Sequence, residues 1–93
     1  MTLSLRRATQ FKKDLKKAIK QGKNLEKLAS LIDFLQHERP LPKKYQDHQL
    51  TGNWFHYREC HITPDWLLIY AINHETQEVY LARLGSHAEL FKL

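Results

Sequence analysis

His48, His61, Asp65, Arg83 and His87 all fall in the second half of the chain, mostly where strands should begin, turn or end. His61 and Asp65 bracket the turn in His61-Ile62-Thr63-Pro64-Asp65-Trp66, and Arg83 and His87 stand four residues apart around Gly85. Imidazole exchanges protons near neutral pH, so two of them can take a proton from a ribose 2′-hydroxyl and return one to a departing 5′-oxygen. Guanidinium grips phosphate oxygens through a planar fork and steadies the charge that builds on phosphorus. These side chains are the parts of a centre that cuts RNA without a metal, provided that the fold gathers them. No HxxxH or CxxC spacing is present and Cys60 is alone, so neither a metal site nor a cofactor is expected.

The charge distribution points to the same class of substrate. The 93 residues carry a net charge of +5, but residues 1–27 hold nine cations against Asp14 and Glu26, leaving the remainder slightly acidic. Lys12, Lys13, Lys16 and Lys17 lie within the first apolar-periodic segment, and a field concentrated on one element favours a polyanion. Trp66 and Phe91 are core or rim aromatics that can also stack on bases. With 42% hydrophobic residues the chain has the composition of one globular domain, residues 1–93. No apolar run is long enough for a membrane span and no secretory leader is evident, so a cytoplasmic protein is expected.

The elements that must position the site follow from periodicity. A short strand in residues 2–7 leads to a helix over about Thr9–Gln21, with Phe11, Leu15, Ala18 and Ile19 as its buried stripe and Gly22 as its stop. Asn24 caps a second helix that buries Leu25, Leu28, Leu31, Ile32 and Leu35, and Arg39-Pro40-Leu41-Pro42 ends it. Residues 40–52 read as an irregular loop. Trp54–His61, Trp66–Ile72 and Glu78–Leu84 then read as an antiparallel meander, its middle segment apolar on both faces and therefore central. The order predicts an α+β fold: a short strand and helical hairpin, the hairpin packed on one face of a mainly antiparallel sheet, leaving the other face for binding.

Three patterns carry a family resemblance. They are HxLxGxW (His48, Leu50, Gly52, Trp54), HxxPDW (His61, Pro64, Asp65, Trp66) and RxGxHxxLF (Arg83, Gly85, His87, Leu90, Phe91). Together with the lysine-rich hairpin they make the whole chain resemble the YafQ branch of the RelE-type toxins, the toxin halves of bacterial type II toxin–antitoxin pairs. The resemblance implies a RelE-like fold and a ribosome-dependent endoribonuclease that cuts messenger RNA in the A site of the 70S ribosome, leaving a 2′,3′-cyclic phosphate. It implies proton transfer and nucleophile orientation by His48, His61, Asp65 and His87, with His87 as the leaving-group acid and the base open among the other three. Arg83 would stabilise the phosphorane, Trp66 and Phe91 would place the RNA, and the basic helix would meet ribosomal RNA. A cognate antitoxin would silence the protein and link it indirectly to operator DNA. The alternatives are a noncatalytic RNA- or ribosome-binding module, or a unit that only docks its antitoxin.

Overall fold

The computed structural model describes residues 2–91. Strand β1 (Ser4–Arg7) enters helix α1 (Thr9–Lys20), which is followed by α2 (Leu25–Gln36), a 3₁₀ turn at Lys43–Tyr45 and a short strand β2 (His48–Gln49). A second 3₁₀ turn at Gly52–Trp54 precedes β3 (Arg58–Thr63), β4 (Trp66–Asn73) and β5 (Glu78–Gly85), and helix α3 (His87–Phe91) follows. The five strands form one sheet in the order β1-β5-β4-β3-β2, antiparallel except for the parallel β1–β5 pair. The expected α+β layering is therefore present, with β4 central. Among the described residues no helix is long and apolar enough to cross a membrane.

The helical hairpin forms as its sequence dictates. Asn24 Oδ1 accepts from the backbone N–H groups of Glu26 and Lys27 at 3.0 and 3.3 Å, satisfying donors that the first turn of α2 leaves free. Gly22 and Lys23 close α1 by donating back to the carbonyls of Ile19 and Ala18. Phe11, Ala18, Leu28, Leu31 and Leu35 pack on Leu68, Tyr70, Val79, Leu81 and Leu84 to make the main core. Two expected stripe residues lie outside it: Ile19 is 54% exposed and Leu25 38%, because each sits in a terminal turn beyond the reach of the sheet.

Three irregularities were not expected. The strand read as starting at Trp54 begins at Arg58, since Gly52 adopts φ 65° and winds Gly52–Trp54 into a 3₁₀ turn. The loop over residues 40–52 contains β2, which pairs His48 opposite Glu59. A bulge in β5 then skips Ala82, so that Arg83 faces Ile69 while Leu81 faces Tyr70. That extra residue lets Leu81 and Leu84, three apart, both point at the helices.

The sheet's second face carries a smaller cluster: Leu67, Ile69, Ala82 and Leu90, flanked by Leu50, Trp54, Tyr57, Tyr80 and Phe91. Helix α3 approaches closely because residue 85 is glycine. A Cβ there would lie 3.2 Å from Glu89 Oε1 and 3.3 Å from Leu90 Cδ2. Ser86 and Glu89 form a reciprocal cap, Ser86 N–H donating to Glu89 Oε1 at 2.9 Å and Glu89 N–H to Ser86 Oγ at 3.2 Å.

The ion pair with Lys17, then the Ser86 N–H, holds the Glu89 carboxyl down at about 2 from its ordinary 4.5. A depressed folded-state pKa stabilises the native protein fully above pH 4.5, and that contribution fades as pH falls toward about 2. Wild-type and Glu89→Gln proteins should therefore differ in melting temperature at neutral pH and converge through that window. Parallel melting curves down to pH 2.5 would refute the assignment.

Candidate active site

Alternation along β3 sends Glu59 and His61 to the face of the sheet away from the helical hairpin, while Cys60 and Ile62 join the main core. The β2–β3 register sets His48 beside Glu59. Asp47 fixes the approach to β2: its carboxylate accepts from Arg58 Nη2 at 2.9 Å and from the Tyr70 hydroxyl at 2.5 Å. Hydrogen bonding to Asp47 raises the Arg58 guanidinium, and burial followed by Asp47 pushes the Tyr70 hydroxyl well up, so both remain donors. His87 opens α3 directly after β5, the strand next to β4, and so arrives at the same place.

Three imidazoles converge on one carboxylate. His61 Nε2 lies 3.3 Å from Glu59 Oε1, and the Nε2 atoms of His48 and His87 each lie 3.8 Å from it. The His61 ring centroid is 6.4 Å from that of His48 and 5.5 Å from that of His87. Glu59 is only 4% exposed, yet no buried side-chain polar atom among the described residues lacks a partner. It was absent from the candidates drawn from sequence. Its signal was there in the two-residue spacing to His61, which places both on one strand face, but the pairing with His48 depends on a strand hidden in the loop.

The outer ring nitrogens are held by acceptors. His48 Nδ1 donates to the Gln46 carbonyl at 2.7 Å, because a carbonyl can only accept. In the neutral ring Nε2 then keeps its lone pair and faces the cluster. Asp65 Oδ1 accepts from both Nδ1 and the backbone N–H of His87 at 3.3 Å, directing His87 Nε2 inward. His61 Nδ1 meets the Pro64 carbonyl at 3.3 Å. Four of the sequence candidates, His48, His61, Asp65 and His87, are thus brought together at the open end of the sheet.

Arg83 is placed differently. Its Nε donates to Asp14 Oδ2 at 2.9 Å and its Nη2 to Asp14 Oδ1 at 3.4 Å, and the same carboxylate accepts from Leu84 N–H at 3.0 Å. The pair lies in a groove of about 320 Å³ between α1 and the end of β5, whose walls include Lys13, Lys17, Trp66 and Glu89. Lys12 and Lys16 point to solvent outside it. Trp66 corrects the expectation that it stacks on RNA: at 2% exposure it belongs to the core, with Lys23 Nζ 6.0 Å from its ring. Phe91 remains half-exposed, with ring centroids 6.3 Å from His87 and 6.4 Å from Trp54.

The cluster also answers the metal question differently from spacing alone. Glu59, His61 and His87 each offer one ligand atom, all within 4.8 Å of one another, so a set of two nitrogens and an oxygen able to hold an ion exists without any local motif.

A helical hairpin packed on one face of a five-stranded sheet is also the fold of solved toxins. A metal-bound toxin from Helicobacter pylori superposes with a TM-score of 0.91 at 44% identity, over 96% of this chain and 99% of that one. YafQ of Escherichia coli in complex with DinJ, a toxin–antitoxin complex, gives 0.88 at 38% identity over 98% and 99%. The chain belongs to the YafQ family: the family model described as the bacterial toxin YafQ of type II toxin–antitoxin systems matches residues 3–92. Among its relatives, the mRNA interferase toxin YafQ of Escherichia coli K12 is 42% identical over 83 residues, 88% of each chain.

Proposed function

We propose that this protein is an mRNA interferase, an endoribonuclease toxin that acts on messenger RNA at the ribosomal A site and is silenced by a cognate antitoxin. Family membership supports the activity, and the relative solved with DinJ supports an antitoxin partner. The observation that supports the chemistry is that two imidazoles present Nε2 to one cluster, His48 held through Nδ1 by the Gln46 carbonyl and His87 held through Nδ1 by the Asp65 carboxylate.

His48 Nε2 takes the proton of the 2′-hydroxyl, whose oxygen attacks phosphorus. The bond from phosphorus to the 5′-oxygen breaks as His87, entering the step as the imidazolium with Nδ1–H on Asp65, gives its Nε2 proton to that oxygen, leaving a 2′,3′-cyclic phosphate and a 5′-hydroxyl. His61, with its two ring nitrogens facing the Pro64 carbonyl and Glu59, packs between His48 and His87 and orients the nucleophile. Arg83, its plane fixed by Asp14, binds a phosphate of the message in the groove beside α1, on the leaving-group side. The lysines of α1 dock on ribosomal RNA, and operator DNA is reached only through the antitoxin. A ribosome-bound message is a cytoplasmic substrate, so on this reading the protein acts in the cytoplasm, and the steps above call on no cofactor.

End mapping on programmed ribosomes tests the reading. Wild-type protein should leave new 5′-hydroxyl and 2′,3′-cyclic phosphate ends within the A-site codon. A noncatalytic ribosome-binding module would bind with salt-dependent affinity and leave none.

A further inference from the structure

A second groove adjoins the cluster on the side away from α1. It holds about 340 Å³ and is walled by Lys27 of α2, by Lys44, Tyr45 and Gln46 after Pro42, and by His61, Ile62, Thr63 and Pro64. None of its described lining residues is a carboxylate. The groove beside α1 is different, since Asp14 and Glu89 there already engage Arg83 and Lys17. Lys27 and Lys44 are exposed and have no carboxylate within ion-pair distance among the described residues. Tyr45 is half-buried, its ring 6.4 Å from that of Phe34, and Lys44 Nζ lies 5.1 Å from the Tyr45 centroid. An ammonium resting on a fixed ring loses less freedom on meeting an anion than a free lysine does.

We propose that this groove binds the backbone of the message immediately 5′ of the cut, with Lys27 and Lys44 on its phosphates. The proposal rests on the acid and base assignments above, which give the bound strand its direction. The base side of the cluster carries the nucleotide whose 2′-hydroxyl attacks, and His48 hangs from the carbonyl of Gln46, a wall of this groove. The acid side carries the departing 5′-oxygen, and His87 lies between Gly85 and Glu89, which wall the groove beside α1. The strand therefore runs from Lys27 and Lys44, past His61, toward Arg83. Through Gln46, occupancy of the groove also bears on the placement of the base.

The test is a cycle on programmed ribosomes, pairing Lys27→Ala/Lys44→Ala with messages that carry one neutral methylphosphonate either just 5′ or just 3′ of the mapped cut. Both lysines are exposed, so the variant folds, which its melting curve checks. With an ordinary message the variant should need about tenfold more protein for half-maximal cleavage, at an unchanged maximal rate. The 5′ methylphosphonate should impose a similar loss on wild type and none on the variant, whereas the 3′ replacement should slow both equally. A 5′ penalty that persists in the variant, or an interaction with the 3′ phosphate instead, overturns the groove assignment while cleavage stands. Absence of cleavage by wild type on the unmodified message overturns the nuclease reading and this one with it.

Discussion

Replacing His87 with alanine should lower the single-turnover rate of message cleavage by about 10²–10⁴-fold, the range for losing a general acid, while the protein stays folded. The ring is half-exposed, and Asp65 keeps its hydrogen bond from the residue 87 backbone N–H, so stability should change by no more than about 1 kcal/mol. The role can be isolated chemically. A message whose departing 5′-oxygen is replaced by sulfur offers a leaving group that needs no proton. That substitution should restore most of the rate to His87→Ala and little to His48→Ala, because the base is required whichever atom leaves. Equal rescue of the two variants would reverse or abolish the assignment. A folded His87→Ala protein that cuts ordinary messages within threefold of wild type would remove His87 from the chemistry.

The parts of this fold that repeat along the chain were readable from the chain. The helical stripes of Phe11–Ala18 and Leu28–Leu35, the Asn24 cap and the three long strands follow from local period and turn chemistry, which tertiary contacts reinforce. What escaped depends on partners far apart in sequence. Trp54 carries a strand-forming side chain, but Gly52 two residues before it turns the backbone and Tyr57 takes the indole edge-on at 5.3 Å. Arg83 in an apolar strand needs a partner, and only the packing of α1 on β5 reveals that Asp14, 69 residues away, is the one that holds it. The histidines were recognisable as a group because turns and strand ends collect at the open edges of a sheet. Glu59 was hidden for the opposite reason, as a charged residue mid-strand reads as solvent-facing until β2 covers it. Lys27 and Lys44 were hidden among many lysines, and the groove exists only where α2 meets the turn after Pro42.

Glu59 should separate activity from stability. Glutamine has nearly the same volume and leaves an acceptor for His61, but removes the buried negative charge that the three imidazoles surround. Keeping a carboxylate out of water is costly, and a neutral amide of equal size that still offers His61 an acceptor lowers that cost. Glu59→Gln should therefore melt at or above the wild-type temperature. Cleavage should nevertheless fall by about 10–100-fold, the usual cost of removing a group that orients functional imidazoles. The loss should fall on the maximal rate and leave the protein concentration at half-maximum unchanged, since Glu59 lies beneath the rings and does not reach the message. Glu59→Asp keeps the charge on a shorter stem and should recover part of that rate. If the residue merely supported the fold, Glu59→Gln would lose stability and activity together and Glu59→Asp would fare no better. That pattern would leave the three imidazoles without the carboxylate that organises them.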